Sequence, residues 1–287
     1  MHLRIRERFS PFTHIPGTYF HLPGSHEIAR VFPTRFERYE GDVLLEVNEF
    51  DYGGPVSQFT ATMDLERGLL FTTGRTERGF FREELYRAAT PSPKERLSLG
   101  VQKKQEIEQI LKRQDLKEIL PFWLRLGAWE SSVVAPDEIF DFLPFFRAGF
   151  RGFFAERGFD SDYQGFTNTK WPRPLLEVGA AAIRSLFFRV ENECVKILPA
   201  LPTLFPAGRF LSLTIRPGIE IDIAWTKKTL HCIVVRSSQK ETIQFLFPPH
   251  LKRYRVRKNE RDRGVVKTCG ATLQVEPGIL WLTNFEI

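Results

Sequence analysis

Three carboxylates near the middle of the chain, Asp160, Asp162 and Glu177, are of the type that paired acid–base chemistry requires. If they meet across a cleft, one carboxylic acid can protonate a leaving group while a second carboxylate activates water. Two of them lie in ERGFDSDYQGFTNTKWPRP, residues 156–174, a loop-like stretch that mixes acids, an amide and aromatic rings. Loops held by a rigid scaffold are where binding residues concentrate, so a ligand site is expected here first. The competing reading is plain: with 35 acidic residues, some always fall in loops, and sequence spacing does not fix separation in space. No catalytic residue is assigned from the sequence.

Other chemistries find no footing. Walker A, Rossmann, HExxH, GxSxG and CxxC patterns are absent, so phosphate cradles, zinc hydrolysis and elbow-type acyl transfer have no positive support. His14, His21 and His26 fall in a Pro- and Gly-rich stretch without the spacing of a metal site, and neither a metal nor a cofactor is expected. Cys194, Cys232 and Cys269 cannot all pair within one chain. They read as free thiols in a reducing compartment. The opening MHLRIRERFSPF lacks an apolar h-region, so the expected location is the cytoplasm, with non-standard export left open. No stretch approaches 18 apolar residues, and no conventional membrane span is expected.

Charge points to one place. Lys and Arg number 41 against 35 acids, a net +6. Residues 251–264, LKRYRVRKNERDRG, hold seven bases and two acids and so account for +5 of it. As a strand, this run projects Arg253, Arg255 and Arg257 from one face and Lys252, Tyr254 and Val256 from the other. Three guanidiniums then form a short positive ridge that could meet nucleic acid or an acidic protein. A solvated sandwich face is the preferred reading, because a nucleic-acid footprint spreads over several elements and the rest of the chain is near neutral.

The elements that must position these groups come in three blocks. At 287 residues the chain has roughly two domains' worth of protein, large enough to be stable without disulfides or a structural metal. Its 27 Phe, against 5 Trp and 6 Tyr, mostly lack a polar handle and read as core. Up to about residue 90 the pattern is short strands and turns, as in DVLLEVNEF (42–50), where Val43, Leu45, Val47 and Glu49 form the cleaner apolar row. Ser92–Glu95 has capping-box form, yet Leu97, Leu99 and Val101 alternate, and Gly100 favours the strand. A helix is expected over 102–120, stopped by Pro121; a shorter one opens at Pro136, and Phe142, Phe146, Phe150 and Phe154 mark a packed helical stripe. Another helix is expected over 176–190. Eight strand candidates follow between Phe210 and Phe285 at the spacing of a sandwich. The fold class is thus α+β, mainly β. It comprises an N-terminal sandwich-like part (1–101), a reduced helical middle (102–194) and a C-terminal β-sandwich domain (195–287).

Several words in this last third go together. Gly179-Ala180-Ala181-Ala182-Ile183, then VKILPALP from Val195, Pro206-Ala207-Gly208, and EIDIAW ending at Trp225, resemble glycoside hydrolase family 95, the alpha-L-fucosidases. The match spans the end of the catalytic domain and the start of the C-terminal β-domain. VSQFTATMDLERGLLFTT and FFREELYRA are similar to the same family's N-terminal sandwich. The resemblance implies a catalytic (α/α)6 barrel between the two β parts. Twelve helices of about 11 residues with connections of about 4 need roughly 180 residues, whereas Val101 to Lys196 comprises 96. It also implies a catalytic aspartate in a PFQIDGNFG-like word. Here that stretch is PRPLLEVG, with Leu175 at the aspartate's position and Glu177 two residues on.

These readings favour a strongly truncated, non-catalytic relative of glycoside hydrolases with a carbohydrate-binding or structural role. In it, Trp171 offers a ring face to sugar C–H groups while Arg173 or Glu177 orients hydroxyls. The alternatives are a minimal glycosidase with a rearranged carboxylate pair, and binding of nucleic acid or an acidic protein through 252–263. The sequence names neither the sugar nor an oligomeric state.

Overall fold

The computed structural model describes residues 3, 12–14, 16–17, 20–25, 27–90, 93–100, 109–110, 113–127, 173–259 and 261–287. Trp171, Asp160, Asp162 and the Phe stripe at 142–154 lie outside the described residues. The strands in chain order are β1 (Phe12–His14), β2 (Phe20–His21), β3 (Ile28–Val31), β4 (Arg35–Glu40), β5 (Val43–Glu49), β6 (Ser57–Asp64), β7 (Leu69–Thr76), β8 (Gly79–Arg87) and β9 (Arg96–Ser98). Helices α1 (Leu116–Gly127) and α2 (Arg173–Phe187) follow. The chain then runs through β10 (Phe188–Glu191), β11 (Cys194–Ile197), β12 (Gly208–Arg216), β13 (Ile219–Thr226), β14 (Thr229–Ser237) and β15 (Glu241–Leu246). It ends with β16 (Arg253–Arg257), β17 (Val265–Thr268), β18 (Thr272–Val275) and β19 (Gly278–Glu286). The protein is α+β and mainly β, and all eight strands expected after Phe210 are present. Among the described residues no helix is long and apolar enough to cross a membrane.

The chain forms two compact units. One comprises Met1–Glu7, Lys94–Lys103 and Ala181–Ile287; the other comprises Arg8–Pro93 and Lys104–Ala180.

In the first unit, a seven-stranded sheet runs in the order β17-β16-β19-β14-β13-β12-β9, and a four-stranded sheet in the order β10-β11-β15-β18. Strand β9 is the alternating segment that the capping-box form disguises; it pairs with β12, Leu97 opposite Phe210. Isoleucines 219, 221 and 223 of β13 are all buried, as their parity requires, and so are Asp222 and Ala224 on the opposite face. A strand buried on both sides must satisfy its polar residues internally. The two sheets meet through rings: Phe245 stacks on Phe247, which contacts Tyr254 of β16 and Phe285 of β19 edge-on.

In the second unit, two four-stranded antiparallel sheets run β1-β6-β7-β8 and β2-β3-β4-β5. Strand β5 is present as expected, but both of its apolar rows face solvent, with Leu44 49% and Leu45 46% exposed. It is an edge strand, so alternation there supplies no second layer to cover it. Helix α1 departs from expectation more sharply. Residues 109, 110 and 113 are helical, the chain breaks at Gln114 with φ +53, and the helix restarts after Asp115 with Pro121 inside it. Asp115 supplies the cap, its carboxylate accepting from the Lys117 amide at 2.9 Å. Pro121 does not stop the helix, because Phe122, Trp123 and Leu124 beyond it are buried, and that packing outweighs one lost backbone bond.

Helix α2 also ends earlier than its pattern suggests. It stops at Phe187, and residues 188–190 belong to β10. The Phe188–Val190 run satisfies either period, and pairing with β11 decides it.

Candidate functional site

Of the residues expected around a sugar cleft, Arg173 is the first residue of α2, and Glu177 lies one turn on, half-buried. The structure therefore puts these two on one helix, four residues apart.

What seats this helix is Gly179. A Cβ there would fall 2.1 Å from the Trp123 ring of α1, so only glycine permits the approach. The GAAAI word thus encodes a close helix–helix contact. The other words encode packing too. Gly208 pairs with Trp225, whose ring would meet a Cβ on Gly208 at 2.3 Å. Trp225 donates its indole N–H to the Phe205 carbonyl at 3.0 Å, and Phe187 stacks against its ring. After α2, the Leu198 amide donates back to the Phe187 carbonyl at 2.8 Å, which places the ILPALP turn under the helix end. Arg184 of α2 is anchored by Glu95, with guanidinium N–H groups 2.9 to 3.2 Å from its carboxylate. All of these are scaffold interactions with no exposed reactive group.

Residues 190–278 match the model of the glycoside hydrolase family 95 C-terminal domain. The matched stretch runs from the end of β10 to the start of β19, and so takes in most of the first unit's two sheets. No curated protein matches the chain.

The basic segment lies within the matched stretch. Arg253, Arg255 and Arg257 alternate along β16 with Tyr254, which is buried, its hydroxyl pushed up to about 12 by that burial. The charges are partly matched: Arg253 lies 3.2 Å from Glu286, both of them exposed. A β-bulge sets that pairing. Opposite β16 the register skips between Arg253 and Arg255, with Asn284 at φ +52, so that Thr283 faces Arg255 and Glu286 faces Arg253. Phe285 is thereby free to stack on Tyr254.

The rest of the basic run is a hairpin turn rather than strand. Asp262 organises it, accepting the Lys258 amide at 2.9 Å and the Gly264 amide at 2.8 Å. Those backbone bonds hold its carboxyl below the usual range. Sequence reading counted Asp262 only as charge; its signal was the D-x-G spacing of a turn.

The three cysteines form no disulfide, and burial pushes the Cys232 thiol up to about 11, which makes it unreactive at neutral pH. Among the described residues no group of His, Cys, Asp and Glu is placed to hold a metal ion.

Proposed function

We propose that the protein is a non-catalytic relative of glycoside hydrolases that binds carbohydrate beside Trp171. Arg173, Glu177, Asp160 and Asp162 are the polar groups available to orient the sugar. The observation that carries this reading is the match of residues 190–278 to a glycoside hydrolase C-terminal domain, preceded by a segment with Leu175 where the resembled enzymes carry an aspartate. Leucine cannot accept a proton from water. The 96 residues from Val101 to Lys196 hold about half a twelve-helix barrel. In this reading residues 1–101 and 195–287 are scaffold, and the helical middle carries the site.

The test is a screen of purified protein against aryl fucosides and other aryl glycosides, with calorimetric titration of neutral oligosaccharides alongside. No turnover is expected, together with weak saturable sugar binding that Trp171→Ala abolishes. Turnover near about 1 per second that disappears in Glu177→Ala, Asp160→Ala or Asp162→Ala would replace this reading with a minimal hydrolase. Absence of both turnover and binding would leave a structural role.

A further inference from the structure

Two arginines of the basic run converge on the turn that follows them. Gly264 sits at φ +70, and a Cβ there would lie 2.9 Å from Arg255 Cγ and 2.8 Å from Arg257 Cγ. Both stems therefore close over bare backbone. Arg255 uses one arm, Nη1, to donate to the Arg263 carbonyl at 2.8 Å, which fixes its fork over the turn. Asp262 spends its two carboxylate oxygens on backbone amides of the same turn.

Next to this pair are polar atoms that the described residues leave unmatched. Residues opposed across a ladder share a face, and Thr283 is opposed to Arg255 while Trp281 is opposed to Arg257. Among the described residues, the buried Arg257 Nε and Thr283 Oγ1 have no hydrogen-bond partner. A guanidinium N–H and a hydroxyl shielded in this way require an acceptor from water or from a ligand.

We propose that this face of β16 and β19 is an oxyanion site that holds a sulfate or carboxylate group of an acidic polysaccharide. Two guanidinium forks and a hydroxyl suit a planar carboxylate or a tetrahedral sulfate. A nucleic-acid backbone fits less well, because it needs a continuous run of cations, and Glu286 and Asp262 interrupt this one. The choice of polymer rests on the carbohydrate reading above, but the site is separate from Trp171.

The experiment is calorimetric titration with dextran sulfate and with polygalacturonate, neutral dextran being the reference and a single-stranded oligonucleotide the competitor. The two acidic polymers distinguish a sulfate from a carboxylate ligand. Saturable binding of at least one is expected, with none for neutral dextran. Arg255→Gln/Arg257→Gln should weaken it about tenfold or more. Lys227→Gln/Lys228→Gln removes the same charge from an exposed turn of the same unit and should change it less than about twofold. Thr283→Val, which keeps both charge and shape, should weaken binding by a measurable few-fold and serves if the arginine variant fails to fold. Equal losses in the arginine and lysine variants, no effect of Thr283→Val, or tighter binding of the oligonucleotide than of either polysaccharide would overturn the proposal. Trp171→Ala should leave acidic-polymer binding intact, so loss of neutral-sugar binding there counts against the earlier reading alone.

Discussion

Asp222 is an acid on a strand buried on both faces, 1% exposed, and every contact it makes is accounted for by folding. It accepts the Ser212 amide at 2.9 Å and both arms of Arg236, one of them at 2.9 Å. Breaking such a pair from the buried side costs about 3 to 5 kcal/mol when both partners are dry. Arg236 is about a third exposed and can turn to water, so Asp222→Asn should cost nearer ~2 kcal/mol. A lower urea midpoint at unchanged slope would show it. Tyr254 presents the reverse case, a buried hydroxyl without a partner among the described residues. Its pKa is raised from about 10 in the unfolded chain to about 12. Its contribution to stability is therefore complete below pH ~10 and is lost as pH rises toward ~12. Tyr254→Phe should remove that alkaline loss and be neutral or slightly stabilising at pH 7, as read from unfolding midpoints across pH. Side-chain parity separated Tyr254 from the three arginines, but the burial of Asp222 was not legible, because parity sets it on the face opposite the isoleucines. The unmatched Thr283 hydroxyl was not legible, because it depends on a bulge that no local pattern announces.

At the scale of elements, the contact between α1 and α2 offers the sharpest check. Gly179→Ala places a methyl carbon inside the Trp123 ring and should destabilise by about 1 to 3 kcal/mol. The double variant Gly179→Ala/Trp123→Leu should recover part of that loss, as a double-mutant cycle on thermal unfolding would reveal. Most strands could be read from alternation, and β9 was separated from a helix by Gly100 and the Leu97–Leu99 parity. The misreadings have physical causes. Pro121 is tolerated because the residues beyond it are buried, and α2 stops short because Phe188 finds a strand partner. In β5 the alternation of Val43, Leu45 and Val47 is real, but an edge position leaves it uncovered, and position in a sheet is not written in local spacing.

At the scale of the molecule, two compact units need not unfold together. Scanning calorimetry should resolve two transitions, with Gly179→Ala lowering one and Asp222→Asn the other. A single transition shifted equally by both variants would refute this. The family 95 likeness was legible in words that are packing words in this chain: Gly208 lies against Trp225 and Gly179 against Trp123, and neither position has room for a Cβ. No pairing of carboxylates was legible, since acids in loops carry no spacing rule.

Strand β9 gives this architecture a timetable. Its partner β12 lies more than a hundred residues downstream. At a synthesis rate of about 5 to 20 residues per second, Leu97 waits roughly 5 to 20 s on the ribosome before Phe210 exists to receive it. The second segment of the other unit, Lys104–Ala180, emerges in that interval. The matched stretch 190–278 excludes β9, and a fragment of residues 188–287, which keeps β10 and β19 whole, would leave the β12 edge bare and prone to self-association. Supplying residues 93–100 as a separate peptide should restore its solubility.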